Sequence, residues 1–119
     1  MLSNHSKWIP FGSVPDISAN ELWQLVQSDE VQLIDVRTSQ EWRFSAIEGS
    51  RNLPITGFTR EAVESLELDK SKPVVAICLT AHRSIPAVRI LREMGFENTQ
   101  QLRGGMTQWW RHKLPCCKN

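Results

Sequence analysis

Apolar positions along this chain fall into short blocks of two kinds, and the two kinds alternate. One kind has helical spacing. Leu22, Leu25 and Val26 recur that way behind Ser18, which can cap a helix with Glu21 three residues on as its capping-box partner. Ala62, Val63, Leu66 and Leu68 repeat it within Phe58 to Leu68, and Ile85, Val88 and Leu91 within Ser84 to Met94. Pro86 falls in the first turn of that last helix, where a missing N–H costs little, and Gly95 stops it. The other kind is continuous and short. Val31 to Val36 reads as a buried strand, and Pro73 to Ile77, continuous and β-branched at Val74, Val75 and Ile77, as the centre of a parallel sheet. Arg51 to Pro54 and Thr99 to Leu102 read as brief strands, Ser39 to Phe44 as a short helix, and Met106 to His112 as a final helix after the Gly104-Gly105 break. Strands alternating with helices predict an α/β fold with a mainly parallel sheet. One domain spans residues 14–113, with residues 1–13 expected as a flexible arm and 114–119 as a flexible tail.

Composition agrees with a globular domain. The chain has 119 residues, 40% hydrophobic and 23% charged, enough for a core without disulfide staples. The longest apolar run, Val74 to Leu79, is too short to span a bilayer, and Met1 to Pro10 has no apolar segment of the signal-peptide kind. Cytoplasm is the expected compartment. The three cysteines, Cys78, Cys116 and Cys117, match neither a disulfide framework nor a zinc pattern, so no metal is expected. Charge is uneven: residues 1–80 hold seven Lys/Arg against eleven Asp/Glu, and residues 81–119 hold seven against two. A basic half beginning just after Cys78 suits an anionic substrate, although a solvated helix face has the same composition. No basic cluster is dense enough for nucleic acid.

Cys78 ends the strongest strand and is followed by Leu79-Thr80-Ala81-His82, then Arg83 and Ser84 at a helix start. Ligands of open α/β sheets bind beyond the carboxyl ends of strands. A helix N-terminus, a tight loop of backbone N–H groups and an arginine all stabilise negative charge on a sulfur there. A lone cysteine ending a strand is ordinarily a small buried hydrophobe. Arg83, five residues on, makes a reactive thiol an equal alternative.

The chain resembles the rhodanese family. The resemblance is carried by Asp35-Val36-Arg37 with Glu41-Trp42, by Ile47 to Pro54, by Cys78 to Ser84, by Gly95-Phe96-Glu97-Asn98, and by Leu102 to Met106 with Trp109. Their order and spacing run from about Ile17 to Trp110. The resemblance implies a five-stranded parallel sheet flanked by helices on both sides, and a persulfide on Cys78 cradled by the backbone of Leu79, Thr80, Ala81, His82 and Ser84. Cys78 to Arg83 spans six residues, as in sulfurtransferases of this fold; related phosphatases and arsenate reductases carry a loop one residue longer, which suits a tetrahedral oxyanion. It implies a thiosulfate sulfurtransferase-like transferase. A donor such as thiosulfate loads Cys78, and a thiol such as thioredoxin or glutathione, or cyanide, unloads it, with Arg83 stabilising the anions. No cofactor, nucleic acid or membrane is implied, and the chain is expected as a monomer or weak dimer. The alternative is a persulfide carrier or partner-binding module with little turnover.

Asp35 and Arg37 are expected to brace the loop rather than to react, and His82 is either an acid–base group or a solvent-facing residue. Two departures from the family stand out. Ser45 to Ser50 replaces a Gly-His-Ile-Pro-Gly-Ala segment, and Ala81 stands where many single-domain members have glycine, so a different backbone angle is expected there. Cys116 and Cys117 read either as incidental thiols on an exposed tail or as a relay that resolves the Cys78 persulfide.

Overall fold

Alternation along one strand divides the interior in two. In the computed structural model, which describes residues 13–119, Val74, Ala76 and Cys78 point to one face of a sheet while Val75 and Ile77 point to the other. All five are buried, as a strand covered on both sides requires. The strand is β4 (Val74–Ile77). Its neighbours are β2 (Gln32–Asp35) and β5 (Thr99–Leu102), and the edges are β1 (Asp16–Ile17) and β3 (Arg51–Asn52). The order is β1-β5-β4-β2-β3, and every pairing is parallel.

The helices are α1 (Ala19–Gln27), α2 (Ser39–Phe44), α3 (Arg60–Ser65), α4 (Ser84–Glu93) and α5 (Gly105–Arg111). A 3₁₀ turn, Ile55–Gly57, follows β3. Val63 of α3 and Ala87, Val88 and Leu91 of α4 close the core on the Cys78 face. Ala19 and Leu22 of α1 and Met106 and Trp109 of α5 close the opposite one. The Ser18 capping box forms as expected: Glu21 N donates to Ser18 Oγ at 3.2 Å, and Ser18 N donates back to Glu21 Oε1 at 3.4 Å.

The five-stranded parallel α/β architecture is thus the expected one. Two features differ from the sequence reading. β1 lies just before the Ser18 cap, where the sequence predicts no strand; it adds Asp16 and Ile17 beside Gln101 and Leu102. The tail, expected to be loose, lies against the body. Cys117 and Ala46 exchange backbone hydrogen bonds of 3.0 and 2.8 Å, and Asn119 N donates to Arg43 O at 2.9 Å. Trp109 supplies the physical reason: its buried indole N–H needs an acceptor and finds Pro115 O at 2.9 Å. Residues 1–12 of the expected arm lie outside the described residues. Among the latter, no helix is long and apolar enough to cross a membrane, and no group of three or more His, Cys, Asp or Glu could hold a metal ion.

Candidate active site

Cys78 follows the last residue of β4 and is 1% exposed. Its Sγ accepts a hydrogen bond from the backbone N–H of Arg83 at 3.2 Å, so the loop from Cys78 to Arg83 closes on the sulfur. The other side of the loop is held by α5. Met106 N donates to Cys78 O at 2.8 Å and Thr107 N to Leu79 O at 3.2 Å. These are first-turn amides of a helix, which have no partner within it. In a planar trans peptide the C=O and the following N–H point opposite ways. Turning the Cys78 and Leu79 carbonyls to α5 therefore aims the amides of Leu79 and Thr80 away from α5, toward the face that carries the sulfur. Among the described residues, no protein acceptor takes the amides of Leu79, Thr80, Ala81 or His82.

Two backbone positions permit this arrangement. Gly105 has φ +61°, and a Cβ there would lie 2.4 Å from both Cys78 O and Leu79 O. Ala81 has φ +74°. That is the left-handed angle that glycine takes readily and that the Cβ of an alanine disfavours.

The remaining loop residues divide by exposure. Thr80 and His82 are exposed, with Thr80 Oγ1 and His82 Nδ1 3.2 Å apart. Ser84 is fully buried, and its hydroxyl donates to Gln101 Oε1 at 2.6 Å, tying α4 to β5. Arg83 turns its guanidinium to Glu41, with Nη1 at 3.2 Å from Oε1 and Nη2 at 3.3 Å from Oε2. The Glu41 hydrogen bond raises the guanidinium pKa; burial opposes this, and the nearby Cys78 sulfur adds to it. Burial pushes the Glu41 carboxyl up, but hydrogen bonds from Arg83 and the Thr38 amide, together with Arg83's charge, outweigh it and leave the carboxyl below its ordinary value.

Asp35 and Arg37 sit beside the loop rather than in it. Asp35 pairs in register with Ile77, one residue before Cys78. Its carboxylate takes Arg37 Nε at 3.0 Å and Nη2 at 2.8 Å, both side chains being fully enclosed. Arg37 Nη2 also donates to Ser45 O at 2.7 Å, and Asn52 Nδ2 bridges the carbonyls of Asp35 and Arg37 at 3.0 Å each. A buried pair satisfied this fully orders the turn after β2, and removing one partner of such a pair costs roughly 3–5 kcal/mol.

Sequence reasoning missed Glu41 as a site residue. The Thr38-x-x-Glu41 box was a local signal for a helix start, but the pairing with Arg83 spans 42 positions and leaves no local trace. It also missed Gly105, whose role depends on how closely α5 approaches the loop.

The site is thus a cysteine at the end of the central strand of a parallel α/β sheet, with backbone amides turned to the sulfur's face. The family model described as Rhodanese-like domain matches residues 18–112, and the chain belongs to that family. As an enzyme it is a transferase of the rhodanese type. It is 32% identical over 103 residues to a sulfurtransferase of Allochromatium vinosum, covering 86% of this chain and 94% of that one. It is 27% identical over 100 residues to the thiosulfate sulfurtransferase GlpE of Actinobacillus pleuropneumoniae, covering 84% of this chain and 90% of that one. The crystal structure of a rhodanese-related protein from Thermoplasma volcanium matches with a TM-score of 0.75 at 26% identity, covering 89% of this chain and 100% of the other.

Proposed function

We propose that the protein is a sulfurtransferase that carries a sulfane sulfur as a persulfide on Cys78. The observation that carries this reading is the loop itself: Arg83 N–H at 3.2 Å from Sγ, with the amides from Leu79 to His82 left as donors for a second sulfur. The Cys78 thiolate attacks the outer sulfur of a small anionic donor such as thiosulfate. The donor's S–S bond breaks, and sulfite leaves with the electron pair. The amides and Arg83 hold the terminal sulfur. A thiol such as thioredoxin or glutathione, or cyanide in an assay, then takes that sulfur, and Cys78 returns as thiolate. Asp35 and Arg37 hold the neighbouring turn, and Ser84 anchors the helix behind the loop. The chemistry calls for no metal or organic cofactor. Cytoplasm, where small thiols are kept reduced, suits these acceptors.

One observation favours a second reading, a persulfide carrier with little turnover: both Nη atoms of Arg83 are held by Glu41, so its charge is already matched. Intact mass after incubation with thiosulfate, followed by cyanide and measurement of thiocyanate, separates the two. Gain of one sulfur, its absence in Cys78→Ser and repeated thiocyanate turnover are expected. A stable persulfide with negligible turnover selects the carrier. Undiminished loading of Cys78→Ser would overturn both.

A further inference from the structure

Glu41 carries a charge that its capping hydrogen bonds do not require. Its carboxylate closes the Thr38 capping box, taking Thr38 N at 2.9 Å and Thr38 Oγ1 at 3.1 Å, a task that glutamine performs as well. Both its oxygens also meet Arg83, the residue whose amide holds the Cys78 sulfur. The Glu41 carboxylate and the Arg83 guanidinium thus form a matched ion pair on the residue that closes the loop over the Cys78 sulfur. The pair's side chains are 33% and 34% exposed, open enough to meet a ligand at the loop and enclosed enough for their charges to act there. An arginine beside a reacting sulfur would by itself draw in anions. Matched by Glu41, it presents no net charge to an incoming donor. The electrostatic consequence of Glu41 scales with the donor's own charge.

We propose that Glu41 is a specificity-determining positioning residue that biases Cys78 against dianionic donors such as thiosulfate and toward donors with at most one negative charge, namely organic thiosulfonates and organic persulfides. This rests on the sulfur-transfer reading above. With a thiosulfonate, R–SO₂–S⁻, the Cys78 thiolate bonds to the outer sulfur, the S–S bond breaks and the sulfinate R–SO₂⁻ leaves with the electron pair. With a persulfide, R–S–SH, the thiolate R–S⁻ leaves and the proton stays on the transferred sulfur. Neither step consumes an oxidant or a reductant.

The test compares thiosulfate, a dianion, with benzenethiosulfonate, a monoanion, using cyanide as acceptor. In a ping-pong scheme kcat/KM for the donor reports the loading half-reaction alone. Glu41→Gln keeps the capping box and removes only the charge; Glu41→Asp keeps the charge. In Glu41→Gln, kcat/KM for thiosulfate is expected to rise about tenfold, mainly through KM, and that for benzenethiosulfonate about threefold, since the same potential acts on half the charge. Glu41→Asp is expected to retain the wild-type ratio between donors. An equal change for both donors in Glu41→Gln, or a fall for thiosulfate, would overturn the proposal and leave Glu41 as a mechanical support for Arg83. Failure of wild-type Cys78 to gain sulfur from either donor would instead overturn the sulfur-transfer reading.

Discussion

At the scale of single residues, the site depends on backbone angles as much as on side chains. Ala81 at φ +74° holds the loop in a conformation that a Cβ disfavours. The left-handed region costs a non-glycine residue roughly 1–2 kcal/mol. Glycine would remove that strain but would add freedom to the unfolded chain, which offsets roughly 0.4–1 kcal/mol of the gain. Ala81→Gly is therefore expected to stabilise the fold by about 0.5–1 kcal/mol, a rise in Tm of about 3 °C. Calorimetric melting checks it, with sulfur loading on Cys78 unchanged. A fall in Tm would mean that the loop is not strained at this position. Cys78 itself illustrates how a packing position becomes a chemical one. It continues the Val74, Ala76 face into the core, and the Arg83 amide on its sulfur, with the unpaired loop amides beside it, distinguishes it from an ordinary buried thiol.

At the scale of elements, α5 and the loop act as one unit. A Cβ on Gly105 would overlap two carbonyl oxygens of the loop, and those oxygens belong to rigid backbone rather than to a side chain that can swing away. Gly105→Ala is expected to destabilise by about 2–3 kcal/mol, by overpacking together with its positive φ. It should also slow sulfur loading at temperatures where the variant is still folded, because the amides of Leu79 and Thr80 lose their aim. Urea unfolding and loading kinetics followed by mass would read the two effects separately; reduced stability with a wild-type loading rate would count against the role given to α5. The boundary between what was legible in the sequence and what was not runs along this same distinction. β4, the Ser18 box and Thr99–Leu102 announce themselves because burial, capping and chain breaks write local patterns. β1 has two residues, too few for any period to show. The spacing of Cys78 and Arg83 was visible as a loop length. That Arg83 would meet Glu41, or that α5 would press its first turn onto the loop, depends on distant segments and on depth of packing.

At the scale of the molecule, the charge asymmetry along the chain is partly cancelled in space. Arg83–Glu41 and Arg103–Asp16 each join a cation of the basic half to a carboxylate of the acidic half, so the field at the site is weaker than the sequence suggests. The tail makes a second long-range closure. Pro115 accepts from Trp109 on α5, Cys117 bridges Ala46, and Asn119 reaches the Trp42 and Arg43 carbonyls on α2, the helix that carries Glu41. These backbone contacts hold the tail to α2 and α5. Burial pushes the Cys117 thiol above its ordinary value, Glu48 and Cys116 push it further, and one hydrogen bond with Asn119 only partly opposes them, so it is a poor nucleophile at neutral pH. Deleting residues 115–119 leaves the buried Trp109 indole N–H without an acceptor, and is expected to cost about 2–3 kcal/mol while one sulfur per chain still loads on Cys78. The double variant Cys116→Ser, Cys117→Ser in the full chain is expected to stay within about 0.5 kcal/mol of wild type, with unchanged turnover. Chemical denaturation paired with the thiocyanate assay distinguishes the cases. Loss of turnover in the double variant at wild-type stability would return the thiols to the pathway as a relay, whereas loss of stability in the truncation alone assigns the tail to holding α2 and α5 together around the site.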